Sequence, residues 1–207
     1  MNKKALHQLS YGLFVLSALA GEQKSACVVN TVIQLSSEPV LLSVAVSKNN
    51  FTHDVLLKGK KCAVSVLSEE TSMDTIRHFG FQSGNEVDKF KDFPHQSAPN
   101  GAPYITDKTV AYFAGSVTKT LDIGTHTLFV IAVEEMDTLA KETPMTYSYY
   151  QTVKKGTSPK NAPSYDADAA QKGWRCGVCG YITEAENLSE DFVCPVCKQP
   201  REAFKKI

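Results

Sequence analysis

The sequence predicts a mainly β protein: a barrel of short strands with a few flanking helices, joined to a small C-terminal domain stabilised by a metal. Three observations predict it. Apolar, β-branched runs recur between turn formers, and only two stretches show helical spacing. Four of the six cysteines fall in the last 32 residues as two CxxC pairs.

The strands are expected, in order, at 11–20, 26–35, 40–46, 62–67, 110–120 and 125–136. Turn residues bound them, such as Ser36-Ser37-Glu38-Pro39, Lys48-Asn49-Asn50 and Leu121-Asp122-Ile123-Gly124. One helix is expected to start near Asn50, to carry Phe51, Val55 and Leu56 at helical spacing, and to end by Gly59. A second runs over 72–79, with Ser72 as N-cap and Met73, Ile76 and Phe79 on one side. Residues 81–103 are polar and rich in turn formers, which reads as a loop or lid more than core. Residues 151–173 carry Thr157-Ser158-Pro159, Asn161-Ala162-Pro163 and Asp166-Ala167-Asp168, the composition of a tether. The expected units are thus a barrel at 1–150, a linker at 151–173 and a small domain at 174–207. The last is too short to fold on a hydrophobic core alone, and a bound metal would supply what is missing.

With 22 basic and 22 acidic residues the net charge is zero, and no basic stripe appears. Nucleic acid and anionic membrane, which both need clustered cations, are therefore disfavoured partners. No segment approaches the roughly 18 apolar residues of a membrane span. Paired cysteines in one short segment look like ligands rather than disulfide staples, which points to a reducing, cytoplasmic setting. Cys27 and Cys62, alone in apolar stretches, read as buried strand thiols. Lys3, Lys4 and the Ala18-Leu19-Ala20 before Gly21 also fit a secretory signal with its cleavage site. The polar His7-Gln8-Leu9-Ser10 interrupts that pattern, and a first core strand is the preferred reading.

The cysteine segment runs Trp174-Arg175-Cys176-Gly177-Val178-Cys179-Gly180-Tyr181, then Asp191-Phe192-Val193-Cys194-Pro195-Val196-Cys197. Each CxxC places two thiolates on one tight knuckle, and two facing knuckles make a tetrahedral S₄ site from Cys176, Cys179, Cys194 and Cys197. Such a site suits structural Zn²⁺ or iron. Gly180-Tyr181, Pro195 and the aromatic set Trp174, Tyr181, Phe192 and Phe204 resemble rubredoxin, in the short-loop form found at the end of rubrerythrins. That resemblance implies a one-electron iron centre, with a zinc ribbon as the alternative.

The first 150 residues contain no G-x-G-x-x-G and no P-loop. The stretches Val29-Asn30-Thr31, Gln34–Pro39, Ser47–Thr52, Gly124–Val130 and Pro144–Tyr147 resemble, in order and spacing, the flavin reductase-like, FMN-binding split β-barrel family. The resemblance implies flavin-ring contacts from Asn30, Thr31 and Ser36. It also implies a phosphate site from Ser47, Lys48, Asn49, Asn50 and Thr52 at a helix start, where N–H groups favour an anion. The plain alternative for Ser47–Asn50 is a helix-capping turn. His126 lies where that family approaches nicotinamide, and is the catalytic candidate against an ordinary structural histidine. Thr125 stands where an acidic residue is usual, which puts a proton-handling role in doubt. His53 is a weaker candidate for the flavin's rim, and His7, His78 and His95 read as surface residues.

A flavin barrel followed by a terminal rubredoxin resembles the high-molecular-weight rubredoxins of anaerobes. That implies a homodimeric electron-transfer oxidoreductase in which NAD(P)H reduces FMN, FMN reduces the iron, and the iron reduces a soluble acceptor such as a flavodiiron protein that removes O₂ or nitric oxide. The alternatives are a flavin or ferric reductase, and a non-redox binding module with a zinc ribbon. No ribose-phosphate signature chooses between NADH and NADPH.

Overall fold

The computed structural model describes residues 5, 8–154, 156, 173–178, 181–183, 185–195 and 198–207. Seven strands form one antiparallel ribbon: β1 (Phe14–Ala20), β2 (Gln23–Val29), β3 (Ile33–Ser37), β4 (Val40–Ser47), β5 (Lys61–Leu67), and the long β8 (Thr109–Asp122) and β9 (His126–Thr138). Their spatial order is β2-β1-β5-β8-β9-β4-β3. The ribbon curls so that its two ends share a core: Cys27 and Val29 of β2 meet Val44 and Val46 of β4, with Leu16, Phe129 and Ile131 between them. This is the barrel the sequence predicts.

The run Phe14–Ala20 is apolar but for Ser17 because β1 is paired on both sides, with β2 and β5, and buried on both faces. The expected single strand at 26–35 is instead two, broken at Asn30–Val32. The reason is topological. β2 ends the ribbon at one side and β3 at the other, so the chain must leave one edge for the opposite one.

Helix α1 (Phe51–Gly59) starts at Asn50, whose Oδ1 accepts from the Thr52 N–H at 3.0 Å, and it stops where Lys60 turns left-handed. A Cβ at Gly59 would run into the Leu19 carbonyl, so the helix end lies flush on β1. Helix α2 (Met73–Gly80) is capped by Ser72, which accepts from Thr75 N–H at 3.1 Å, and it buries Ile76 and Phe79.

The segment 81–103 departs from the expected loop or lid. It contains the first strand of a hairpin, β6 (His95–Ser97), which pairs with β7 (Pro103–Ile105), and it buries Phe90, Ala98 and Ala102. Lys89 is 3% exposed, and its ammonium donates to the carbonyls of Ala26 and Phe79, both at 2.7 Å. His78 stacks on Phe93 and bonds the Lys89 carbonyl, so it is a packing residue, and His95 bonds the Phe93 carbonyl. A third helix, α3 (Tyr147–Thr152), stands where the linker was expected to begin. Thr146 caps it, and it buries Tyr147 and Tyr150. The rest of the expected tether, 157–172, lies outside the described residues.

Near the C-terminus, β10 (Trp174–Cys176), β11 (Ile182–Thr183) and β12 (Phe204–Lys206) form a three-stranded sheet in the order β11-β10-β12. Among the described residues no helix is long and apolar enough to cross a membrane.

Candidate functional site

The end of β4, the start of α1 and the turn between β8 and β9 converge. Ser47 lies opposite His126 in the β4–β9 register, and the Lys48 N–H donates to the Thr125 carbonyl at 3.0 Å. Ser47 Oγ accepts from the Asn49 N–H, and the Ser47 carbonyl accepts from the Asn50 N–H, so Ser47–Asn50 form a tight turn into the helix. Lys48 Nζ is held by both carboxylate oxygens of Asp122, at 2.8 and 2.7 Å. That ammonium, with the Gly124 N–H, keeps the Asp122 carboxyl below its ordinary pKa. The His126 ring is oriented by Thr125, whose Oγ1 lies 2.8 Å from Nδ1.

Thr31 sits two residues back along β4, its Oγ1 tied to the N–H and carbonyl of Ala45 at 3.1 and 3.3 Å, and Asn30 beside it is buried. Thr52 is also buried, its hydroxyl 2.8 Å from that of Ser25. Ser36 is not brought to this end within the chain. It pairs with Leu41 and donates to the Pro39 carbonyl at the far turn of the β3–β4 hairpin. The six steps from Leu41 to Ser47 span about 20 Å. His53 points inward, bonded to Thr127 Oγ1 at 2.9 Å and set edge-on to Phe129.

The donor set at this end suits an anion: a helix N-terminus, a hydroxyl, two asparagines and a lysine that an incoming phosphate would draw from Asp122. Asp122 and Ser25 are the partners that sequence reasoning missed. Asp122 was read only as a turn former, and nothing in the local pattern around Ser25 signals Thr52, 27 residues away.

In the C-terminal unit Cys176 and Cys194 are both buried, in a small core with Leu188 and Phe204. The Cys176 N–H donates to the Tyr181 carbonyl and the Cys194 N–H to the Gln199 carbonyl, each at 2.8 Å. Left-handed Lys198 closes the second knuckle, with its N–H on the Cys194 carbonyl. Phe204 meets Tyr181 and Phe192 edge-on, which keeps the thiols dry. Cys179 and Cys197 lie outside the described residues. The two buried sulfurs on tight knuckles fit a thiolate-ligated metal.

Residues 6–157 match the family model for the flavin reductase like domain, and residues 174–205 match that for the rubrerythrin, rubredoxin-like domain. The chain belongs to the flavin reductase-like family. Its C-terminal unit is a rubredoxin-like domain, and the combination makes it an electron-transfer flavoprotein oxidoreductase. It is 37% identical to a high molecular weight rubredoxin from Moorella thermoacetica, over the full length of both chains. It is 36% identical to a ferric-chelate reductase (NAD(P)H) from Archaeoglobus fulgidus, over 80% of this chain and 98% of that protein. Among solved structures, an FMN-binding protein from Thermus thermophilus superposes with a TM-score of 0.58 at 27% identity, covering 63% of this chain and 72% of that one.

Proposed function

We propose that the chain takes electrons from NAD(P)H into FMN held at the β4–α1 end, and delivers them through a rubredoxin-type iron to a soluble acceptor. What carries this reading is one chain in which a flavin reductase-like barrel precedes a rubredoxin-like domain, with similarity to a high molecular weight rubredoxin over its whole length. FMN, when bound, supplies the conversion of a hydride into single electrons, and S₄-bound iron supplies a one-electron store. The work of the protein is positioning. Ser47, Lys48, Asn49 and Asn50 with the α1 N-terminus would hold the phosphate, and Thr52 braces that turn through Ser25. Asn30 and Thr31 would border the flavin ring, Ser36 would reach it from a second subunit, and His126, oriented by Thr125, would meet the nicotinamide. Cys176, Cys179, Cys194 and Cys197 would hold the iron.

A homodimer is supported by the apolar residues left exposed at the ribbon edge and hairpin tip, among them Ile33, Leu35, Leu121 and Ile123. The paired cysteines favour the cytoplasm. The acceptor we favour is a flavodiiron protein acting on O₂ or nitric oxide, the partner that resemblance to the high-molecular-weight rubredoxins implies. The test is an anaerobic NADH titration of the purified protein, with flavin and iron absorbance followed separately. Both should bleach, and flavin that bleaches while the iron stays oxidised overturns the electron path.

The similarity to a ferric-chelate reductase supports a second reading, in which the barrel reduces its acceptor directly. Deleting residues 174–207 would then leave NAD(P)H-dependent reduction of the acceptor intact. On the main reading that deletion abolishes it.

A further inference from the structure

Among the described residues, the rubredoxin-like unit meets the barrel at the C-terminal end of α2. Arg77 Nη2 donates to the Pro195 carbonyl at 2.6 Å, across 118 residues of chain. Pro195 lies between Cys194 and Cys197, so this guanidinium grips the backbone of the second cysteine knuckle. Nη1 is ion-paired with Asp74 one turn earlier on α2, which fixes the fork's direction. The Arg77 side chain is only 17% exposed, and its Nε is buried with no hydrogen-bond partner. Phe81, just beyond α2, packs against both cores: that of Ile76, Phe79 and Phe90 in the barrel, and that of Cys176, Leu188, Cys194 and Phe204 in the small unit. Three residues on, the chain crosses α1. A Cβ on Gly84 would collide with Ser25 Oγ and come within 3.4 Å of the Phe51 ring. Packed residues therefore run from the candidate phosphate end, through Phe51, Gly84 and Phe81, to the cysteine core.

One cation and one ring are too little to hold two separate molecules. Joined by a tether of about 20 residues, however, the second partner is present at millimolar effective concentration, and a weak contact is enough. We propose that Arg77 and Phe81 form the docking site on the barrel for the chain's own rubredoxin-like unit, with Arg77 as the positioning residue that reads its second knuckle. This deepens the proposed function and rests on that reading for its purpose, but not for the contact itself. The charge adds a consequence. A largely desolvated guanidinium beside an S₄ site favours the state with one more electron, so docking raises the site's potential, and by linkage reduction tightens docking by the same factor. A threefold to tenfold preference corresponds to about 30 to 60 mV for one electron.

The test uses the full-length, metal-loaded protein and hydrogen exchange read on two peptides, one over residues 73–84 and one over 190–200. Arg77→Gln and Phe81→Ala should each speed exchange in both peptides by threefold or more, with β4 and β9 unchanged. Arg77→Gln should also lower the metal-site potential, and Arg77→Lys should restore most of that shift, because it keeps the charge. Faster exchange confined to 73–84, with 190–200 as in the wild type, would mean that Arg77 only braces its own helix and would overturn the proposal. So would an unchanged potential together with unchanged 190–200 exchange in both variants. Intact docking responses in a protein whose iron NADH cannot reduce would instead count against the electron path and leave the docking site standing.

Discussion

The barrel buries whole side chains by the dozen, Leu16, Phe79, Phe129 and Ile131 among them, in clusters that draw on every strand of its ribbon except the edge strand β3. Among the described residues of the C-terminal unit, the buried core is only Cys176, Leu188, Cys194 and Phe204 beside three short strands. The first can fold on apolar burial, while the second, on the proposed reading, is expected to rely on metal–thiolate bonds. The two units are thus stabilised by different means, and each should be removable without unfolding the other.

The largest effect should come from the metal. Stripping it, or replacing Cys194 with Ser, should unfold residues 174–207, a loss on the order of 10 kcal/mol for that unit. The barrel's own transition should stay in place. Hydrogen exchange on the two regions checks this, and a C-terminal unit still protected without metal would erase the contrast. The converse change is Phe129→Ala, at the fully buried centre of the barrel. It should cost about 3 to 5 kcal/mol in denaturant unfolding of the barrel while the visible spectrum of the metal site is preserved.

A subtler separation uses pH. Burial lowers the Lys89 pKa from 10.5 to about 8. Between those values the unfolded chain binds the extra proton, so Lys89 makes the barrel more stable as pH rises, by up to roughly 3 kcal/mol. Burial raises the Cys27 thiol above its ordinary 9.0 and Cys62 to about 12, and both take stability away above pH 9. The lysine's share is therefore read as a difference. From pH 8 upward, wild type should gain on Lys89→Met, and parallel stability curves would show that the buried ammonium is not strained. The smallest effect belongs to Asn50→Ala, which should cost about 1 kcal/mol through the lost cap. It should also weaken FMN binding, measured by fluorescence titration, and leave the metal unit untouched.

Much of this was legible because the signals are local. Asn50 and Ser72 announce their helices by side-chain chemistry at one position, and the spacing of Cys176, Cys179, Cys194 and Cys197 marks a candidate ligand set, of which Cys176 and Cys194 are buried together. What escaped depends on distant chain. The break at Asn30–Val32 is invisible in a continuous β-branched run, since only the ribbon's two edges demand it. Lys89 sits in a polar stretch, and its burial is made possible by carbonyls of β2 and α2. Arg77 belongs to the polar face of an amphipathic helix, which says nothing of a partner 118 residues away. The α3 helix is six residues of mostly aromatic and hydroxyl side chains, too short for periodicity to reveal.

The pairing of Ser47 with His126 has a kinetic meaning as well. The β1–β2, β3–β4 and β8–β9 hairpins each join neighbours in sequence and can zip early. Joining β4 to β9 closes a loop of about 80 residues, the most non-local step in the ribbon and so expected to come late. The candidate phosphate turn straddles that seam. A folding intermediate with all three hairpins formed would still lack it, so cofactor capture would act as a proofreading signal that assembly is complete.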